Sequence, residues 1–216
     1  MMQFIYYFIQ QKSGNFPINQ IYTIRIKMTQ KKVLSKSEEN KLIESAPNNQ
    51  TKLLIETMLK TGMRVSEICN LKIEWINFED NLILVQKNIE PIEFSPKYGS
   101  EREIPISSML SINLNQLIGK RKKGYVFRSQ RKEYPQRYES ISLINKINSL
   151  CRKIFGTSLG SHILRRTYAS NLLYSGVNIK TIQKLLGHRH LTTTLVYLKD
   201  IPKRDDYDQI RKAISY

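Results

Sequence analysis

HILRRTYASNLLYSGVNIKTIQKLLGHRHLTTTLVYL, residues 162–198, is the stretch on which the reading of the fold turns. Ile163, Leu164, Ala169, Leu172 and Leu173 line one side of a helix over 162–175 that Gly176 ends, and His162 and Arg165 are neighbours one turn apart near its start. A second amphipathic helix over 178–186 is built on Ile179, Ile182, Leu185 and Leu186 and stops at Gly187. His188 follows, and a short helix over 191–197 brings Tyr197 into the same region if these helices fold back on one another. A helix start carrying an imidazole and a guanidinium suits a phosphate. Its amides and dipole favour an anion, arginine offers a planar fork for two oxygens, and histidine can donate to a third.

Working upstream, Ser35 or Ser37 followed by Glu38 and Glu39 marks a first helix start, with Leu42, Ile43 and Ala46 as its apolar stripe and Pro47 closing it. From Thr51, the recurrence Leu54, Ile55, Met58, Leu59 predicts a buried helical face that Gly62 terminates, with a new helix from about Arg64 to Leu71. The pattern then changes. Leu82–Val85 and Glu103–Ile106 read as strands of a small antiparallel sheet, with the turn formers Lys97, Tyr98, Gly99 and Ser100 between them. Further helices are expected over 108–119, 139–155 and 203–213. The fold class is mainly α with a small antiparallel sheet, an α+β arrangement.

The chain's 216 residues suffice for one well-packed core. Lys and Arg number 35 against 18 acidic residues, a formal charge of +17, while 40% hydrophobic composition is ordinary for a globular protein. Such an excess points to a polyanion, and nucleic-acid phosphate is the commonest one. The cluster Lys120, Arg121, Lys122, Lys123 is either a solvated loop or a phosphate contact. Cys69 and Cys151 have no partner at metal-ligand spacing and read as reduced core thiols, so neither a zinc site nor a disulfide framework is indicated. The opening MMQFIYYFIQQ is too short to span a bilayer and lacks the features of a secretion signal. Residues 1–27 show no sustained periodicity. They read either as a poorly ordered arm or as an upstream extension of a frame starting at Met28.

With those residues in place, the chain resembles the catalytic domain of the tyrosine recombinase (phage integrase) family. The family's C-terminal signature is H-x-x-R, a helix ending in L-G-H, then a tyrosine, matched here by His162, Arg165, Leu186-Gly187-His188 and Tyr197 at steps of 3, 23 and 9 residues. Its first arginine, in T-G-x-R-x-x-E, is matched by Thr61-Gly62-Met63-Arg64-Val65-Ser66-Glu67. The resemblance implies that Tyr197 attacks a DNA phosphodiester to give a 3′-phosphotyrosyl link. Arg64, Arg165 and His188 would stabilise the phosphate, His162 would assist proton movement, and Glu67 would orient a group of the site. It also implies a lysine between two strands that protonates the leaving oxygen. Counting back from Arg102 to Pro105 gives Lys97 and counting forward from the preceding strand gives Lys87; Lys97 is preferred because its turn contains Gly99.

Two departures accompany the match. The segment between the strands, containing Pro91 and Pro96, is longer than the tight hairpin of many relatives, and Arg166 stands where many carry a second histidine. Arg166 reads as a DNA-backbone contact or a packing residue, His190 as an exposed helix-start residue, Tyr168 and Tyr174 as packing, and Tyr207 and Tyr216 as packing or exposed. The similarity spans residues 33–200. It leaves 1–32 as an extension without a complete core-binding domain and 201–216 as a tail helix that either docks on a neighbouring subunit or packs in cis. The expectation is therefore a metal-independent, cofactor-free DNA recombinase or integrase from a mobile element, virus or plasmid. Its partner is double-stranded DNA, on which it forms a tetramer from a monomer or weak dimer. It would work in the cytoplasm, at the nucleoid or in an infected host cell, without a membrane. The alternatives are a type IB topoisomerase-like relaxing enzyme and a non-catalytic DNA-binding relic.

Overall fold

The computed structural model describes residues 33–90, 93–129 and 137–198, with side chains as far as residue 195. The expectations for residues 1–32 and for a helix over 203–213 lie outside the described residues.

Eight α-helices and three strands make up this part of the chain. Ser35 starts α1 (Lys36–Glu44) with a reciprocal cap: its hydroxyl accepts from the Glu38 amide at 3.3 Å and its own amide donates to Glu38 Oε2 at 2.9 Å. The helix ends at Glu44, before Pro47 is reached. Asn48 caps α2 (Asn49–Thr61), its side-chain oxygen accepting from the Thr51 amide at 2.9 Å. At the far end of α2, Gly62 takes a left-handed conformation with φ +62°. A β-carbon there would lie 2.3 Å from Cδ1 of Tyr168. Glycine is demanded twice, by backbone conformation and by the ring against it.

After α3 (Val65–Cys69) and a 3-10 turn at Ile73–Trp75 come β1 (Ile76–Asn77), β2 (Leu82–Val85) and β3 (Arg102–Pro105), antiparallel and in that spatial order. Ile76, Ile83 and Ile104 lie in register across the three strands and are all buried. That row fixes which face meets the helices. β3 begins at Arg102, one residue before the expected strand, and β1 was not expected at all, two residues being too few to show alternation. The long β2–β3 connection carries its own tie. Asn88 and Phe94 exchange two backbone hydrogen bonds of 2.8 Å, the Phe94 ring lies 6.1 Å from Trp75, and the Lys72 ammonium donates to Asn88 Oδ1 and to the Glu90 carbonyl.

The remaining helices are α4 (Ser108–Ile118), α5 (Ser140–Phe155), α6 (His162–Tyr174), α7 (Ile179–Leu186) and α8 (Leu191–Leu198). The main core gathers Leu54, Ile55, Met58, Ile68, Ile83, Ile104, Leu114 and Leu164, and Cys151 is buried within it. A smaller cluster of Tyr168, Ala169, Ile182 and Leu186 joins α6 to α7. Helix α6 packs against α2, α7 and α8, and every residue from Ile163 to Ser170 is buried. Those three helices are laid against it, and its first turn carries His162 and Arg165.

Candidate active site

The site is assembled around the last turn of α7. The final carbonyls of a helix have no partner within it and carry the negative end of its dipole, so cations collect there. Three consecutive carbonyls each receive a different arginine. Arg102 Nε donates to Leu185 O at 2.6 Å, Arg165 Nη2 donates to Leu186 O, and Arg64 Nη2 donates to Gly187 O at 2.7 Å. Arg165 is only 2% exposed and also holds the carbonyl of Gly62 at 2.6 Å, which ties α6 to the end of α2. The turn that binds these cations requires Gly187. Its φ is +63°, and a β-carbon would meet Ser100 Oγ at 2.8 Å and Arg102 Nη1 at 3.1 Å.

Glu67 organises two of the three arginines. One carboxylate oxygen accepts from Arg64 Nη1 at 2.7 Å and Arg102 Nη1 at 3.0 Å; the other accepts from Arg102 Nη2 at 2.8 Å and from the Arg64 backbone amide at 2.7 Å. The fork of Arg102 thus grips both oxygens of a carboxylate that is wholly buried. Burial raises the Glu67 pKa, but the hydrogen bond from Arg102 and the charges of Arg102 and Arg64 outweigh it and bring the group down to about 2. Three guanidiniums against one carboxylate leave the site with an excess of positive charge, the condition an incoming phosphate would satisfy.

His188 follows this turn directly, its amide bonded to Gln183 O at 3.1 Å and its carbonyl accepting from Gln183 Nε2 at 3.0 Å. Burial, then repulsion from Arg165, Arg64 and Arg102, lowers its pKa to about 3, so the imidazole is neutral at ordinary pH. Its Nδ1 lies 3.0 Å from Oγ1 of Thr194, a completely buried hydroxyl on α8. Tyr197 is three positions further along α8, which packs against α6 and α7; it is placed by its backbone, since side chains are described only to residue 195.

Other residues singled out in the sequence take varied positions. His162 is the exposed first residue of α6, one turn ahead of Arg165. Lys97 opens a 3-10 turn over Lys97–Gly99 and is exposed, its ammonium 5.0 Å from the centre of the Tyr98 ring. That turn is joined to the arginines through Ser100, whose hydroxyl donates to Lys97 O at 2.9 Å and accepts from Arg64 Nη1 at 3.4 Å. Lys87 is exposed beyond the end of β2, its amide donating to Glu101 at 3.0 Å. Arg166 is 3% exposed within the packed part of α6. Lys120, Lys122 and Lys123 are exposed, whereas Arg121 donates to the carbonyls of Ile118, Tyr125 and Val126 at 3.1, 2.7 and 3.2 Å, closing the end of α4. Tyr168 packs as expected, with burial foremost in raising its pKa to about 12, while Tyr174 is 46% exposed and His190 is exposed.

Two participants had escaped notice. Arg102 had served only as a marker from which to count to Lys97, and Thr194 lay unremarked between His188 and Tyr197. Beside the cluster an open cleft of about 650 Å³ is lined by Ser100, Lys180, Lys184, Gly187, His188 and Arg189 among others, so basic side chains flank the approach. Among the described residues no helix is long and apolar enough to cross a membrane.

Comparison with known proteins gives one consistent result. The sequence profile described as the Phage integrase family matches residues 32–204. The tyrosine recombinase XerA of Pyrococcus horikoshii is 33% identical over 186 residues, covering 85% of this chain and 60% of that protein. Transposase A from transposon Tn554 of Staphylococcus aureus is 30% identical over 202 residues, covering 88% of this chain and 55% of the transposase. The chain therefore spans roughly three-fifths of the length of such relatives. Among solved structures, the XerA recombinase superposes with a TM-score of 0.66 at 24% identity, over 86% of this chain and 64% of that one. The Tn1549 transposon integrase in complex with transposon right end DNA gives 0.68 at 19% identity, over 98% of this chain and 76% of its own. At these identities the structural likeness speaks for the fold.

Proposed function

The chain belongs to the phage integrase family, and from that premise we propose that it is the catalytic part of a site-specific DNA recombinase that cleaves and rejoins strands through a 3′-phosphotyrosyl intermediate. The observation that carries this reading is the convergence of Arg64 and Arg165 on adjacent carbonyls at the end of α7, with His188 next in sequence. Two guanidinium forks anchored to one turn form a clamp for the non-bridging oxygens of a phosphodiester. Neutral His188 adds a hydrogen bond to the negative charge that develops during attack. Tyr197, on the adjoining helix, supplies the phenolic oxygen: its O–P bond forms as the 5′ oxygen leaves, so the phosphoester is conserved and no nucleotide cofactor is consumed. His162, exposed at the start of α6, assists proton movement, and Lys97, on its turn beside Ser100, protonates the departing oxygen. Glu67 keeps Arg64 in place. Lys120, Lys122, Lys123 and the basic rim of the cleft follow the DNA backbone, and four copies assemble on the duplex from a monomer or weak dimer, at the nucleoid or on a mobile element's DNA.

A nicked suicide duplex carrying the element's own ends tests this. Wild-type chain should give a covalent protein–DNA adduct on a denaturing gel, and Tyr197→Phe should give none; an adduct that persists in the phenylalanine variant would remove Tyr197 from the role.

A further inference from the structure

The hydroxyl of Thr194 is completely buried, and His188 Nδ1, at 3.0 Å, is the one hydrogen-bond partner described for it. A hydroxyl can act towards a ring nitrogen in either sense. If Nδ1 carried the proton and donated to Oγ1, the hydroxyl hydrogen of Thr194 would be buried with no described acceptor, an arrangement that folded proteins avoid. If Oγ1 donates to Nδ1, the hydroxyl is satisfied and the single proton of the neutral imidazole sits on Nε2. We propose that Thr194 is a positioning residue: by donating to Nδ1 it fixes His188 in the Nε2–H tautomer and presents that N–H as a hydrogen-bond donor to phosphate.

This deepens the functional reading above and rests on it for the identity of the anion, though the tautomer itself does not. The geometry adds a coupling. Thr194 stands on α8, the helix that also carries Tyr197, whereas His188 belongs to the turn that holds the arginines. Docking of the nucleophile's helix and orientation of the donor histidine are therefore one event. A chain whose α8 is undocked loses the donor as well as the nucleophile, so the phosphate clamp is complete only when attack is possible.

Nitrogen-15 NMR of the whole chain, labelled at its three histidines and assigned with His188→Gln, reads the tautomer directly. At neutral pH His188 should show a protonated Nε2 and a hydrogen-bonded, unprotonated Nδ1. Thr194→Val, of nearly the same shape, should shift Nδ1 and mix the tautomers, and Thr194→Ser should restore the wild-type pattern. In single-turnover cleavage of the suicide duplex at saturating DNA, the valine variant should be slower by about 10-fold or more with unchanged DNA affinity. The serine variant should recover most of the rate. A protonated Nδ1 in wild type, a spectrum indifferent to valine, or an unslowed valine variant would overturn the proposal. Should wild type cleave no duplex at all, the functional reading fails while the spectra still decide the tautomer. Should the valine variant fail to fold, the wild-type tautomer and the serine variant decide.

Discussion

Replacing Glu67 by glutamine would remove the carboxylate that holds Arg64 and Arg102 while leaving its volume almost unchanged. Arg64 and Arg102 would then face one another across a neutral amide, and breaking a buried pair of this kind costs about 3–5 kcal/mol, which a denaturation midpoint of Glu67→Gln against wild type would register. The same groups set the acid response. Glu67 has its pKa lowered to about 2 from 4.5, so its stabilisation is complete above pH 4.5 and is lost as pH falls from there towards 2. His188, lowered to about 3 from 6.5, is neutral when folded but takes up a proton when unfolded, so stability already declines as pH drops below 6.5. Melts between pH 7.5 and 3.5 should decline below pH 6.5 and steepen below 4.5 in wild type, and Glu67→Gln should keep the decline and lose the steepening. At this scale a fixed spacing singles out Arg64, Glu67, Arg165 and His188, which the fold gathers at one turn, and Tyr197 on the helix that follows. The sequence concealed Arg102 and Thr194, whose parts depend on which carbonyl or ring nitrogen the fold carries to them, and no local pattern encodes that.

Helix α6 shows how far periodicity reaches. Its apolar positions predicted one packed side, yet the polar Arg165, Arg166, Thr167 and Ser170 are buried as well, because α2, α7 and α8 surround it. Enclosure from several directions comes from tertiary contacts and cannot be read from a single stripe. Helix ends were more legible, since capping is chemistry between near neighbours: Ser35 with Glu38, and glycine after α2 and α7. A paired substitution separates backbone from packing effects at such an end. Gly62 and Gly99 share a φ of +62°, but a β-carbon meets Tyr168 at 2.3 Å in the first case and nothing within 4 Å in the second. Gly99→Ala should cost about 1–2 kcal/mol of stability from the left-handed backbone alone. Gly62→Ala should lose a further 1–3 kcal/mol or so by displacing the Tyr168 ring. Equal losses in urea titrations would mean that the ring yields freely.

Across the whole molecule, a formal charge of +17 bears on association rather than on fold. If the basic rim follows DNA phosphates, affinity for a duplex should fall about a thousandfold or more between 50 and 200 mM salt, with a linear log–log dependence; binding that ignores salt would assign the surplus charge elsewhere. The fold class was legible because helices and strands announced themselves by period, and the long β2–β3 connection was visible as a departure, though its tie through Lys72, Asn88 and Phe94 was not. The three arginines fastened to the carbonyls of Leu185, Leu186 and Gly187 also impose an order in time. Synthesis proceeds from the N-terminus, so Arg64 exists before the carbonyl it will hold, by 123 residues, or roughly 6–25 s at ordinary rates of translation. Throughout that interval the emerging polypeptide has cations but no clamp. The turn that gathers Arg64, Arg102 and Arg165 therefore cannot close until the chain has been made through residue 187, however early its cations appear.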